Sequence, residues 1–362
     1  MFTSVFLSAV CFVSIIAVLV DPHDVFHLVY AHHFNRIKRH VVSDRMAKVY
    51  ALARVKPRTL LLGASTIGSF DPKDLERYAP SPVYNLALGG AHVPEMTAYL
   101  RYAVSRHNVR TVVVGLDFFG FFPHDARNEV HPAFDPRRLS SGVFFPDYQA
   151  SLFGLDVFMR SLKTVRDNLG DSSGFQYIDY ETGMFVWASP QAIGQQRRDI
   201  DEFRLGQLCE VYGPSRRSRV IDNVAHLKEL IEVARSLQID IRVYVGPAHV
   251  TSFDVIHDLG LGALYAGWQR AMADVVPYYD FSGPNTINND PENFVDMLHL
   301  KSEGGRLVFA RLFGDVSIAI PHDFGVLVTR SNVDAHLRDM ESHPLTTSAT
   351  TPAALCAPRD RK

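Results

Sequence analysis

Cysteine is scarce: the 362 residues hold three, Cys11, Cys209 and Cys356. None stands in Cys-x-x-Cys or in metal-ligand spacing with histidine, so neither a zinc module nor a disulfide framework organises the chain. Cys209 and Cys356, far apart in sequence, are a candidate pair only in an oxidising compartment. An excess of one charge is missing too. Lys and Arg number 37 against 39 Asp and Glu, which leaves no basic footprint for nucleic acid. There is no internal repeat. The sixteen histidines are scattered, and the adjacent His32 and His33 read as surface residues.

The stretch Met1 to Val20 lacks any charged side chain. About 20 apolar residues suffice to span a bilayer, and Asp21-Pro22 ends the run. A cleaved signal peptide would show a basic start and a small-x-small site, and neither is clear. The stretch is therefore expected to be an uncleaved transmembrane anchor, with a buried core helix as the alternative. The basic cluster Arg36, Lys38, Arg39 follows it, which by the positive-inside rule favours a cytoplasmic body. That cluster begins about 15 residues downstream, at the edge of the rule's reach.

Residues 21–56 read as a helical juxtamembrane segment, with apolar positions through Ile37, Val41, Met46, Val49 and Leu52. Strands are predicted at Thr59 to Leu62, Val83 to Leu88 and Thr111 to Leu116, with a helix at Pro94 to Arg106 between the last two. The β-branched run of the third suits a strand buried on both faces. This alternation implies crossovers and a doubly wound parallel sheet. Residues 118–218 read as an insertion able to cover a site, with helices near Asp147 to Asn168 and Asp199 to Cys209. Its aromatics, Trp187 among them, suit either a sugar groove or plain packing, and packing is the commoner use. Helices at Val220 to Leu237, Val255 to Val275 and Lys301 to Phe313 and strands at Asp240 to Val245 and Tyr278 to Phe281 complete an α/β domain over 57–330. The Thr/Ala/Pro-rich tail, 331–362, is expected to be disordered.

Two short stretches carry chemistry. Leu61-Leu62-Gly63-Ala64-Ser65 reads as a buried strand delivering a serine to its carboxyl end, where open α/β sheets bind ligands. Asp296-Met297-Leu298-His299 sets a carboxylate beside an imidazole. Together they supply a nucleophile, a base and an orienter. Separately, each is as readily a turn serine or a helix-capping aspartate. Gly89-Gly90 follows the second strand and Asp117 the third, so four stretches should converge on one sheet edge.

With Asn85-Leu86-Ala87-Leu88-Gly89-Gly90 and Gly115-Leu116-Asp117 added, these blocks resemble the SGNH, or GDSL-type, hydrolase superfamily over about Thr59 to Phe313. The likeness is greatest to its membrane-anchored alginate O-acetyltransferase-like branch, in which Asp280-Phe281-Ser282-Gly283 also fits. The resemblance implies a three-layer fold, a single-pass inner-membrane protein with a periplasmic body, and O-acyl chemistry on a carbohydrate. It implies Ser65 as nucleophile, His299 as base and Asp296 as orienter. The N–H groups of Ser65 and Gly90 would serve the oxyanion hole. The family's third block carries Asn where this chain has Asp117. An ionised carboxylate only accepts, so Asp117 is either protonated or bonded elsewhere, with Asn85 the candidate replacement donor.

The expected activity is O-acetyl transfer or removal on an exopolysaccharide through an acyl-serine, with no cofactor and no metal. A membrane-bound O-acyltransferase is a candidate partner. Two alternatives stay open: a lipid or small-ester hydrolase, and a non-catalytic polysaccharide-binding or scaffold subunit of a secretion complex.

Overall fold

Leu60, Leu61 and Leu62 set the architecture. Successive strand residues face opposite ways, yet all three are wholly buried, so both faces of their strand must be covered. Leu60 and Leu62 join one apolar core and Leu61 a second. The next strand over divides the same way, with Val112 and Val114 in the first core and Val113 in the other.

The computed structural model describes residues 2–125, 128–141, 143–171 and 173–342. The chain begins with α1 (Phe2–Val20) and α2 (Asp44–Val55). Then come β1 (Thr59–Gly63), α3 (Pro72–Glu76), β2 (Val83–Ala87), α4 (Val93–Arg106) and β3 (Thr111–Leu116). The middle of the chain forms α5 (Arg138–Ser141), α6 (Phe145–Leu152), α7 (Leu155–Leu169), the hairpin β4 (Tyr177–Asp179) and β5 (Met184–Val186), and α8 (Pro190–Val211). Regular alternation resumes with α9 (Val224–Ser236), β6 (Asp240–Val245), α10 (Val250–Asp258), α11 (Gly262–Val275), β7 (Tyr278–Asp280) and α12 (Ser302–Phe313). β8 (Val326–Val328) and α13 (Val333–Ser342) follow.

The six-stranded sheet runs β2-β1-β3-β6-β7-β8, parallel throughout except for β8. Strand order reverses between β1 and β3, and a crevice outside their carboxyl ends is where such sheets bind ligands. Helix periodicity explains the outer layers. Met96, Tyr99, Leu100 and Ala103 of α4, and Leu227, Leu230, Ile231 and Ala234 of α9, recur at three- and four-residue steps and pack into one core. Leu75 of α3 and Val308, Phe309 and Leu312 of α12 cover the opposite face.

Several expectations need correction. Residues 21–43, expected to be helical, are turns, bends and irregular chain, and helix begins only at Asp44. The helices expected over 147–168 and 255–275 are each two. Gly154 (φ +116) and Gly260 (φ +67) break them with conformations that β-carbon residues resist. The helix expected at 199–209 extends to 190–211. Part of the tail expected to be disordered is ordered: β8 adds an antiparallel edge just before it, and α13 lies inside it, packing Val333, Leu337 and Met340 into the core. The rest of that tail, including Cys356 of the candidate disulfide, lies outside the described residues. α1 is long and apolar enough to cross a membrane.

Candidate active site

β1 ends at Gly63, and after Ala64 the chain turns into a 3-10 segment, Ser65–Ile67. The turn needs room behind it. A Cβ on Gly63 would lie 2.6 Å from Ile67 Cδ1, and one on Gly115 would lie 2.5 Å from Ile67 Cγ2. Paired glycines on β1 and β3 therefore let Ile67 tuck under Ser65.

Ser65 Oγ stands 3.0 Å from His299 Nε2, although 234 residues separate them. His299 Nδ1 lies 2.7 Å from Asp296 Oδ1. Asp296 and His299 are fully buried, and Ser65 is half-buried. The loop that carries the pair is clamped from several sides. Asp296 Oδ1 also accepts the N–H groups of Leu298 and His299. Ser252 Oγ donates to Met297 O at 2.7 Å, and Ser69 Oγ to Leu300 O at 2.7 Å.

Two partners from the insertion finish this site: Arg204, which no sequence signal marked, and Trp187, one of the insertion aromatics. Arg204 of α8 donates from Nε to Asp296 Oδ2 at 3.0 Å. Trp187, just after β5, sets its ring 4.7 Å from that of His299. Burial pushes the Asp296 carboxyl up. The His299 hydrogen bond and charge and the Arg204 guanidinium outweigh it and hold Asp296 well below the usual carboxylate range. An ionised, oriented carboxylate behind an imidazole fixes its tautomer and stabilises the imidazolium.

Ser65, Thr66, Gly89, Gly90, Trp187 and Arg204 all line one cavity of about 670 Å³. Gly90 has φ +58, a left-handed turn suited to glycine. The N-terminal end of α2 fixes that turn. Asp44 Oδ2 accepts the Gly89 N–H at 2.7 Å, and Arg45 Nη1 donates to Gly89 O at 3.0 Å. Arg45 is itself held by Glu95, Nε to Oε2, at 2.6 Å. The N–H groups of Ser65 and Gly90 have no acceptor among the described residues, which leaves both available as donors.

Asn85 is corrected as an oxyanion donor. It is fully buried, and its amide nitrogen donates to the carbonyls of Ile67, Gly68 and Phe70 while its oxygen accepts the Ala87 N–H. It pins the chain after Ser65 to β2. Asp117 does not line the cavity. It stands behind Thr66, whose hydroxyl donates to Asp117 Oδ2 at 2.8 Å. Burial pushes its carboxyl up to about 7, with the Thr66 bond pulling the other way. Asp117 is thus bonded to Thr66 rather than lining the cavity.

The remainder of the cavity is mixed, with Val41, Phe119 and Leu208 beside the cations Lys38, Arg39 and Arg216. His92, His124 and His131 form one side, with neighbouring rings 5.8 and 5.2 Å apart. Burial draws His92 and His131 down to about 4, so both are neutral at neutral pH. No group of three His, Cys, Asp or Glu able to hold a metal occurs among the described residues. Behind Phe185 and Trp187 lies a second cavity of about 480 Å³. Of the insertion aromatics, Tyr177, Tyr180, Phe185 and Trp187 face the first cavity, whereas Tyr148 packs on Phe26 and Tyr50.

No family model matches the chain, and no curated protein matches it.

Proposed function

We propose that the protein is a membrane-anchored serine acyl-ester enzyme that transfers or removes an acyl group, most simply acetyl, on a carbohydrate. The observation that carries this reading is the Ser65–His299–Asp296 relay, at 3.0 and 2.7 Å, opening into a cavity of about 670 Å³. Such a cavity is of a size that holds a small ligand or sugar unit. Its aromatic and cationic lining suits the faces and hydroxyls of a sugar. The ordered sequence blocks support the SGNH resemblance, and with it a periplasmic body.

In this mechanism Ser65 Oγ attacks the acyl carbonyl carbon and its proton passes to His299 Nε2. The Asp296 carboxylate, held by Arg204, stabilises the imidazolium. The tetrahedral oxyanion takes hydrogen bonds from the Ser65 and Gly90 N–H groups, each such donor worth about 3 kcal/mol. Collapse expels the leaving alkoxide, which takes the proton from His299, and the acyl group remains on Ser65. A sugar hydroxyl or water, deprotonated by His299, then attacks the acyl-enzyme.

The test is labelling of the full-length protein in detergent with a fluorophosphonate, followed by peptide mass mapping. An adduct on Ser65 that is lost in His299→Ala is the expected result. A folded protein that leaves Ser65 unlabelled would favour the non-catalytic polysaccharide-binding reading instead.

A further inference from the structure

α7 is amphipathic with its faces exchanged. The side that packs on the protein carries Val157, Ser161, Thr164, Asp167 and Asn168. The side facing outward carries Leu155, Met159, Leu162 and Leu169, exposed by 75, 43, 48 and 68 %. On a helix of 3.6 residues per turn these four fall within an arc of about 80°. Just before it, Phe145 and Phe153 are exposed by 73 and 53 %. A water-facing helix would put such residues inside, because exposing each large apolar side chain forgoes roughly 1.5–3 kcal/mol.

What covers this face is indicated by its neighbour. α1 packs against α6 and α7, and Ser14 Oγ donates to Leu152 O at 3.2 Å. Ser14 lies six residues before Val20, the end of α1, which at 1.5 Å per residue is about 9 Å up the apolar helix. The turn between α6 and α7 therefore sits at that depth along a helix whose own apolar side chains, Phe12 and Ile15, point outward. Helices lying in a membrane interface bury their apolar face by roughly 5–10 Å. Lys163 lies about 40° beyond the arc and Arg166 within it, both exposed, so two cations stand beside the apolar stripe where anionic headgroups could meet them.

We propose that the α6–α7 hairpin is a second, monotopic membrane contact, seated in the interface of an anionic bilayer beside α1. The occupant of the exposed stripe is lipid. α1 and the hairpin then grip the bilayer at two places, so the body cannot swing freely about a single anchor. The proposal rests on α1 being in the membrane, and the test separates the two.

Single cysteines L155C, L162C, K163C and I15C are placed in the full-length Cys11→Ser protein, whose parent gives the background from the remaining cysteines. Each is labelled with a fluorophore and reconstituted in phosphatidylethanolamine–phosphatidylglycerol vesicles. Quenching by lipids with a nitroxide on the acyl chain should be several-fold stronger at 155, 162 and 15 than at 163. Quenching at 15 alone would overturn the hairpin proposal and leave the anchor standing. Quenching at none of the four would overturn the anchor. Protection of 155 and 162 from both lipid and aqueous quenchers, with disulfide-linked dimers of L155C, would give the stripe to a second copy of the chain and overturn the lipid assignment.

Discussion

Arg204 donates to the Asp296 oxygen that His299 does not use. Its Nε lies 3.0 Å from Oδ2 while His299 Nδ1 holds Oδ1 at 2.7 Å. The carboxylate is thereby gripped from two sides, and its ring partner has one orientation available. Arg204→Gln should keep the fold and lower kcat/KM by about ten- to a hundredfold, the worth of one charged hydrogen bond of roughly 1.5–3 kcal/mol. Steady-state kinetics on an aryl acetate would check it, and unchanged kcat/KM would remove Arg204 from the machinery.

Ser65→Ala and His299→Ala should each abolish nearly all acyl turnover, and the double variant should be little worse than either. Residues that act as one unit are strongly non-additive. Asp296→Asn should retain some activity. Additive losses in the double variant would show that the two side chains do not share a mechanism.

Asp117 should report on stability rather than turnover. Its carboxyl is raised from 3.8 to about 7 by burial, opposed by the Thr66 bond. With the folded pKa raised, the folded state keeps a proton that the unfolded chain loses. Its contribution is complete below about pH 4 and is lost as pH climbs through about 7. Asp117→Asn abolishes that titration, so melting of the variant relative to wild type should improve across this window, with the pH–rate profile unchanged. Unchanged relative melting with an extended alkaline limb in the rate profile would put Asp117 at the oxyanion after all.

α13 is fastened by a buried pair, His336 Nε2 to Asp280 Oδ2 at 2.8 Å. Burial acts against both charges, but the pair wins: Asp280 is lowered and His336 raised. The Asp280 contribution fades as pH falls through its lowered pKa, and that of His336 as pH rises through its raised one. The pair is therefore strongest between the two. His336→Ala should cost about 3–5 kcal/mol there, and the deficit should narrow at alkaline pH. A flat difference in denaturant midpoint across pH would disprove the ionic account.

The segment after α1 belongs to the body. Lys38 Nζ donates to Asp21 O at 2.7 Å and pairs with Asp24 at 3.2 Å, all three side chains being buried. Asn168 Oδ1 accepts the Ile37 N–H. A chain beginning at Asp21 should melt close to the full-length protein. One beginning at Asp44 should lose several kcal/mol, because it leaves Asn168 without Ile37 and Arg54 without its ion-pair partner Asp24. Equal melting of the two would show that 21–43 is a detachable linker.

The sequence by itself determined the strands around the site, because a run such as Thr111-Val112-Val113-Val114 has few ways to be buried other than in a parallel sheet. It also determined which short stretches follow the strands that meet at the crevice. Asp296 and His299 are three residues apart, so their bond is local and readable. Tertiary structure alone decided the rest. Arg204 and Trp187 reach His299 and Asp296 through an irregular insertion, whose path no periodicity encodes. Asp44 and Arg45 hold Gly89 only because α2 packs beside β2. Asn85 and Asp117 were assigned by position along the chain, yet a side chain's role depends on which carbonyls and hydroxyls surround it. Asn85 met three carbonyls, and Asp117 met Thr66. The helix breaks at Gly154 and Gly260 were hidden for a related reason. Glycine permits a left-handed turn without demanding one, and only packing on both sides selects it.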